Sequence, residues 1–331
     1  MHYIGLDVHK KECQAAILDE QGELVREMRI QTSKDGFLHL LSVIDNDSEL
    51  VLEASSSFYP PYDFFSKKGV SVKVAHPTRL RAISSAKVKT DRIDAKILGR
   101  LLRANMIPEV HVPERQIRDL RELLRHREGL VRLSTQAKNR VQSLLTRRGI
   151  RHSFSDLFGK GGMRWLESIE LDEPGAFELS QNLETIKHLE SQIALVEQKF
   201  IFYEKMLPEA RLLQSIKGMG RLSSLKFMAA VERISRFPDA KKLSSYAGLI
   251  PGVRQSGDKR RDGRITKEGS TLLRDALVTA ATSAIRWDPK SRRIYERIEK
   301  RRGGSKAKVA LARKIGTWAY FMLTRGEEYA S

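Results

Sequence analysis

The sequence predicts an α/β amino-terminal domain, a helical coiled-coil hairpin and a mainly α carboxy-terminal domain. Three observations lead there. Up to Ala75, short apolar runs bounded by turn residues alternate with brief helical patterns. From Glu114 to Leu207 two long helical repeats follow one another across a glycine-containing break. Beyond Leu207 helical stretches are joined by glycine-bearing turns. Pro108 and Pro113 interrupt the pattern after the first part, so in this chain of 331 residues the domains run 1–106, 107–207 and 208–331.

YIGLDVH reads as a strand that runs directly into a second, KECQAAILDE, and the turn Glu20-Gln21-Gly22 leads to a third, ELVREMRIQT. This is an antiparallel meander. Ser33 is placed to cap a helix running to about Ile44, and ELVLEA is a fourth, apolar strand whose last residues include Glu53. A helix around Tyr62 to Lys68 precedes a fifth strand, VSVKVA. Meander, helix, strand, helix, strand is the order of the ribonuclease-H-like fold. There the first and fourth strands lie side by side, and Asp7 faces Glu53.

An acid where a buried strand would carry Val or Leu costs folding energy unless a cation or another partner compensates it. Asp7 sits between Leu6 and Val8, and Glu53 ends LVLE. Asp91 and Asp94 are three residues apart at the start of DRIDAKILGRLLRA, so both project from one helical face. Each acid also has an ordinary reading: first-turn acids complement the helix dipole, and strand-end acids are solvated. Taken jointly, several carboxylates in one domain suit hard divalent ions such as Mg²⁺, which take oxygen ligands. Beside Asp7, His9 is read as structural. Phe58 and Tyr59 are expected to pack the domain, and Cys13 to fill the core of the second strand.

Charge points to the partner. Lys and Arg number 60 against 41 Asp and Glu, a net of +19 that attracts phosphate polymers. The excess is uneven: residues 1–106 carry a net +2 and residues 251–331 a net +11. A membrane is the competing partner, yet no apolar run approaches the ~18 residues that span a bilayer, and no signal peptide precedes the first strand. The single cysteine excludes an intramolecular disulfide and suits a reducing cytoplasm.

In the second long helix Ile186, Leu189, Ile193, Val196, Phe200, Tyr203 and Leu207 recur at spacings of three and four, the seam of a coiled coil. Such a hairpin either pairs with a second copy or closes as an intramolecular bundle. The first helix carries 11 Lys and Arg against 4 Asp and Glu over residues 114–151, partly a nucleic-acid surface and partly a solvated face. Next, LLQSIKGMGRLSSLKFMAAV resembles a helix-hairpin-helix. There Gly218 and Gly220 would let backbone N–H groups approach a phosphate, although an ordinary helix connection fits as well. Gly303 and Gly304, inside a basic run, suggest a flexible turn over backbone phosphates.

YIGLDVHK, LEAS and KTDRIDAK resemble the RuvC-like amino-terminal domain of the DEDD transposases of the insertion-sequence one-hundred-ten family, relatives of the Piv and MooV invertases. SYAGLIPGVRQSGDKRRDGRITKEG resembles the signature of that family's second domain, so the similarity runs end to end. The resemblance implies Mg²⁺, or Mn²⁺ in its place, held by Asp7, Glu53, Asp91 and Asp94. It implies Ser256, the serine followed by glycine, as nucleophile. Without the resemblance, Ser256 would read as a turn in a basic loop. Arg254, Lys259, Arg260, Arg261 and Arg264 would balance phosphate charge around it. Partners implied are donor and target DNA, a structured noncoding bridge RNA that chooses bases by pairing, and further copies of the chain through the coiled coil as a dimer or tetramer. The implied setting is the prokaryotic cytoplasm at the nucleoid.

The reading is a DNA recombinase. The alternatives are a RuvC-like endonuclease that opens branched DNA by water attack, for which Ser256 is dispensable, and a noncatalytic nucleic-acid scaffold, for which all four acids are. An actin-like sugar kinase shares the strand-acid opening but would need Gly-rich phosphate loops that this basic chain lacks.

Overall fold

The computed structural model describes residues 1–45, 47–83, 91–256 and 259–329, with the side chains of 253–262 outside the description. The chain divides into two compact units, Met1–Val112 and Pro113–Ser331.

In the first unit β1 (Tyr3–Val8), β2 (Glu12–Leu18) and β3 (Leu24–Gln31) form the expected meander. The next element is α1 (Lys34–Leu41), opened by Ser33, whose hydroxyl accepts the Gly36 N–H at 3.2 Å. Then come β4 (Glu49–Glu53), α2 (Tyr59–Lys67), β5 (Ser71–Ala75), α3 (Pro77–Ile83) and α4 (Asp91–Arg103). The sheet order is β3-β2-β1-β4-β5, with β4 parallel to β1 and β5. First and fourth strands are neighbours, an arrangement consistent with the ribonuclease-H-like fold.

Alternation along β1 separates the two faces of the sheet. Ile4, Leu6 and Val8 join a core with Leu50, Leu52 and Val74 that Phe37, Leu40 and Phe65 of the first two helices cover. The opposite face sets Val51 and Ala75 against Leu98 and Leu102 of α4. Gly5 is on this second face: a methyl group there would overlap the Ala95 carbonyl oxygen and lie 2.6 Å from the Gly99 nitrogen. Backbone therefore rests on backbone, and α4 lies across β1. Cys13 is fully buried, as expected.

In the second unit α5 (Arg115–Arg147) and α7 (Glu173–Met206) run antiparallel, connected through α6 (Lys160–Ser168). Ion pairs mark the register: Arg127 with Glu197 at 2.6 Å, Lys138 with Glu190 at 2.8 Å and Arg147 with Glu178 at 3.0 Å. Of the expected seam, Ile186, Leu189, Val196, Phe200 and Tyr203 are buried and Ile193 is half-buried. Ile186 shares a core with Val141 and Leu144, and Phe200 with Leu120 and Leu124. The seam closes within the chain, the intramolecular form of the two readings.

The unit continues with α8 (Pro208–Gln214), α9 (Arg221–Val231), α10 (Ala240–Tyr246), β6 (Pro251–Ser256), β7 (Lys259–Ile265), α11 (Thr271–Trp287), α12 (Pro289–Arg302) and α13 (Gly304–Arg325). α9 is buried almost all round, and its last carbonyls are taken by arginines: Arg121 donates to Ala229 at 2.6 Å and Arg236 to Val231 at 2.7 Å. α11 buries Ala276, Ala280, Ala281 and Ala284, a stripe that lets neighbours approach closely. The β6–β7 hairpin is an addition to the helical expectation. Its strands carry Arg and Lys where buried strands carry apolar residues, so no period-2 signal announces them. Among the described residues no helix is long and apolar enough to cross a membrane.

The dock of α4 on β1 generates a test. Gly5→Ala should lower the free energy of unfolding by about 1–3 kcal/mol, the usual effect of overpacking a tight contact, measured by urea denaturation. A change below about 0.5 kcal/mol, the scale of a surface substitution, would contradict the close contact.

Candidate active site

Asp7 lies near the carboxyl end of β1, opposite Gln14 of β2, and its side chain is 19% exposed. The β1–β4 register pairs Leu6 with Leu52, so Glu53, the last residue of β4, stands beside Asp7. Both continue the alternation that puts Gly5 and Val51 under α4. α4 begins with Asp91, which is exposed, and carries half-buried Asp94 in the same first turn. The fold thus brings four acids distant in sequence to one end of β1.

His9 joins them. Its Nε2 is 3.2 Å from Asp7 Oδ2 and 3.3 Å from Asp91 Oδ1. Ligand atoms of Asp7, His9 and Asp91 all lie within 4.8 Å of one another; Glu53 and Asp94 are outside that tightest group. The turn bearing His9 is held in place, because the His9 N–H donates to the Glu12 carbonyl at 3.0 Å and the Thr32 hydroxyl donates to the His9 carbonyl at 2.9 Å. From the sequence alone His9 offers a substrate contact or a structural part, and the structural part is preferred. The available signal was its position two residues after Asp7, which in an extended chain returns to the same face.

Burial is the largest cause that pushes the Asp7 carboxyl above its ordinary value; His9 pulls it down, and the nearby charges of Asp91 and Asp94 raise it. Crowded carboxylates of this kind are relieved by a divalent cation. The donor set suits a hard cation such as Mg²⁺: Asp7 and Asp91 supply oxygens within one coordination sphere's reach. His9 Nε2 holds the point between two carboxylates where a positive charge is best placed.

Residues the sequence did not single out line the approaches. A cleft of about 340 Å³ is bordered by Gln14, Glu27, Arg29, Asp91 and Arg92, and one of about 140 Å³ by His9, Glu12, Gln14, Arg29 and Asp91. Arg29 pairs with Glu12. Guanidinium groups therefore border the openings on either side of Asp91.

In the second unit Ser256 ends β6 and pairs with Lys259 at the start of β7; Arg254 pairs with Arg261, and Gln255 with Arg260. The side chains of Arg254, Ser256, Lys259, Arg260 and Arg261, and all of Gly257 and Asp258, lie outside the described residues. Arg264 is exposed further along β7. Gly218, with φ +104°, packs on α11: a Cβ there would be 2.7 Å from the Ala280 carbonyl oxygen. Helix packing alone thus accounts for that glycine. Gly220, which opens α9, faces open space, as does Gly303 between α12 and α13.

Comparison with known proteins is consistent along the chain. Residues 4–149 match the profile of DEDD transposases of the IS110 type, and residues 210–296 that of the transposase IS116/IS110/IS902 family. The chain is 26% identical over 340 residues to the transposase for insertion sequence element IS1111A of Coxiella burnetii, spanning 98% of this chain and 90% of that one. It is 24% identical over 349 residues to the pilin gene-inverting protein of Moraxella bovis, spanning 99% and 97%. A Sinorhizobium fredii relative named as a transposase is 26% identical over 300 residues, spanning 88% and 74%.

The environment of Asp7 fixes a pH dependence. A carboxyl group raised in the fold contributes stability that is complete below its unfolded value near 3.8 and is lost as pH rises through the folded value. Asp7→Asn does not ionise there. Without divalent ions, its Tm should therefore gain on the wild type as pH rises above the unfolded value near 3.8, and Mg²⁺ should narrow the gap by raising the wild-type Tm alone. Scanning calorimetry checks this; a Tm difference that does not change with pH refutes it.

Proposed function

The chain belongs to the IS110 family of transposases and is a DNA recombination enzyme, and from that premise we propose that it cuts and rejoins DNA strands through Ser256, with Asp7, Glu53, Asp91 and Asp94 holding Mg²⁺. Mn²⁺ is a suitable substitute. The observation that supports this most is the meeting of Asp7 and Asp91 around one imidazole, in the part of the chain that matches the DEDD profile.

In this reading Ser256 Oγ attacks a phosphodiester phosphorus, the bond from phosphorus to one sugar oxygen breaks, and that oxygen leaves as a hydroxyl after taking a proton. The phosphoserine ester keeps the strand for transfer, since a hydroxyl from the new strand reverses the step and frees the serine. Mg²⁺ held by Asp7, Glu53, Asp91 and Asp94 would supply charge stabilisation at phosphoryl oxygens. Arg254, Lys259, Arg260, Arg261 and Arg264 serve to balance the phosphate charge, and the N–H groups around Gly218 and Gly220 to receive a neighbouring one. Loss of charge at the acids should abolish the chemistry: Asp7→Asn, Glu53→Gln, Asp91→Asn or Asp94→Asn each removes a negative charge and replaces one carboxylate oxygen by an amide NH2.

Base choice in this proposal belongs to a structured noncoding RNA, because the chain offers charge but little evident base-reading machinery. Leu133, Leu195 and Phe202, apolar and more than half exposed on α5 and α7, support assembly of further copies through that hairpin as a dimer or tetramer. The setting is the cytoplasm, at the nucleoid.

Trapping on nicked suicide DNA tests the nucleophile. The wild type should leave a protein–DNA adduct that survives denaturation. Ser256→Ala should lose both adduct and strand transfer while keeping DNA binding, and each acid variant should lower cleavage by about 100-fold or more, beyond what groups one layer further from a metal contribute. Normal cleavage by Ser256→Ala would instead promote a RuvC-like endonuclease that uses water. A second outcome concerns the guide: purified protein should retain one RNA species and bind matched DNA at least tenfold better with it. Tight sequence-specific binding by RNA-free protein would refute the guided reading.

A further inference from the structure

Trp287 is the most exposed of the large apolar side chains among the described residues, at 72%, and it occupies the last position of α11. Its corner is rigid. The buried Asp288 carboxylate accepts from the Ser291 N–H at 3.0 Å and the Ser291 hydroxyl at 2.6 Å, which locks the start of α12. Arg292 folds back over the end of α11, donating to the Ile285 carbonyl at 3.0 Å and the Arg286 carbonyl at 2.7 Å. Among the described residues no ring stacks on the indole and no cation lies over it. A large flat ring on a fixed support, left in water, is a surface made to be covered.

The surrounding charge identifies the cover. Residues 286–302 hold eight Lys and Arg against three acids. Of those acids Asp288 is buried and capping, whereas Glu296 and Glu299 are exposed, Glu299 accepting the Tyr295 hydroxyl at 2.6 Å, so the solvent-facing balance stays positive. Among the cations, Lys290 is occupied, lying 5.6 Å from the Trp318 ring centre and 5.0 Å from that of Tyr329. Arg286, Arg293 and Arg297 are exposed. An exposed indole next to Arg286, followed by a helix with exposed Arg293 and Arg297, suits a base stacked between its own phosphates. A second copy pairing through the same corner, as a two-fold contact requires, would bring the same positive charge and be repelled. A duplex keeps its bases stacked on one another and has no face to offer.

We propose that the α11–α12 corner binds single-stranded nucleic acid, with Trp287 stacking on an unpaired base and Arg286, Arg293 and Arg297 holding the flanking phosphates. The proposal rests on the nucleic-acid reading above, but it is a statement about binding and involves neither Ser256 nor the acid cluster. Unpaired bases arise in a displaced DNA strand and in RNA loops, and the indole recognises what the two share.

The full chain, titrated with oligothymidine and oligouridine of about 15 nucleotides and with a duplex of equal length, tests it through indole fluorescence and anisotropy. Single strands should quench the wild type, and Trp287→Ala should lose most of that quenching and bind them about 5- to 100-fold more weakly, with duplex binding little changed. Trp287→Phe should recover part of the affinity. Replacing Arg293 and Arg297 by Ala should weaken all ligands and flatten the salt dependence. A larger loss with oligothymidine assigns the corner to displaced DNA, and with oligouridine to RNA. Unchanged single-strand binding by Trp287→Ala overturns the proposal, and so does an equal loss on duplex and single strand. A fall in oligomer mass with binding intact also overturns it, by showing that another copy covers the indole. A wild-type chain that binds no nucleic acid removes the reading beneath it as well.

Discussion

Gly5 has no side chain because α4 lies where that side chain would be. The Ala95 carbonyl and the Gly99 nitrogen of the helix approach β1 so closely that a single methyl group does not fit between them. This contact fixes the helix along the strand and not merely over the sheet. A helix docked through bulky side chains has several rotamer-dependent seats; one docked backbone to backbone has very few. The position of Asp91 and Asp94 relative to Asp7 follows from it, since Asp91 is about one helical turn before Ala95, the residue pressed against Gly5.

The arrangement is unfavourable for the acids themselves. Asp7 is half-buried on a strand, Glu53 is its neighbour across a parallel pair, and a helix start adds two more carboxylates. His9 offsets part of the repulsion between Asp7 and Asp91, and burial still raises the Asp7 carboxyl. A fold selected for stability alone would place apolar groups here. The cost is tolerable because the rest of the unit is conventional: two apolar clusters cover the two faces of one sheet, and the acids sit only at its end.

The second unit uses small residues for the same purpose on a larger scale. Alanines along α11 admit α9, α13 and the turn of Gly218, so its core is closely packed helix on helix. Among the described residues, exposed positive charge is collected on α12 and at the start of α13, with Arg264 exposed on β7. The catalytic candidate in the first unit is nearly neutral. The near-neutral part suits an ion-binding cluster that a strong positive field would oppose, and the basic part suits a polyanion.

Much of this was legible in the sequence. Short-range periodicity and turn chemistry gave the five strands in order, the cap at Ser33, the long helices and their seam, because those signals are local and repeat every two or three to four residues. The side-by-side placement of β1 and β4 followed from element order, and the charge asymmetry from counting. What the tertiary structure decided depends on groups far apart in the chain. His9 lies between Asp7 and Asp91 only because α4 crosses β1. The α7 seam closes on α5 and the carboxy-terminal helices, a choice between partners that one helix's pattern does not contain. Gly218 approaches Ala280 and Ala284, about sixty residues away, a contact its local Gly-x-Gly motif does not contain. The β6–β7 pairing escaped notice because its strands, rich in Arg and Lys, show no alternation of apolar and polar residues in the sequence. Local periodicity specifies elements, whereas packing specifies which of their faces meet, and the candidate site is made of such meetings.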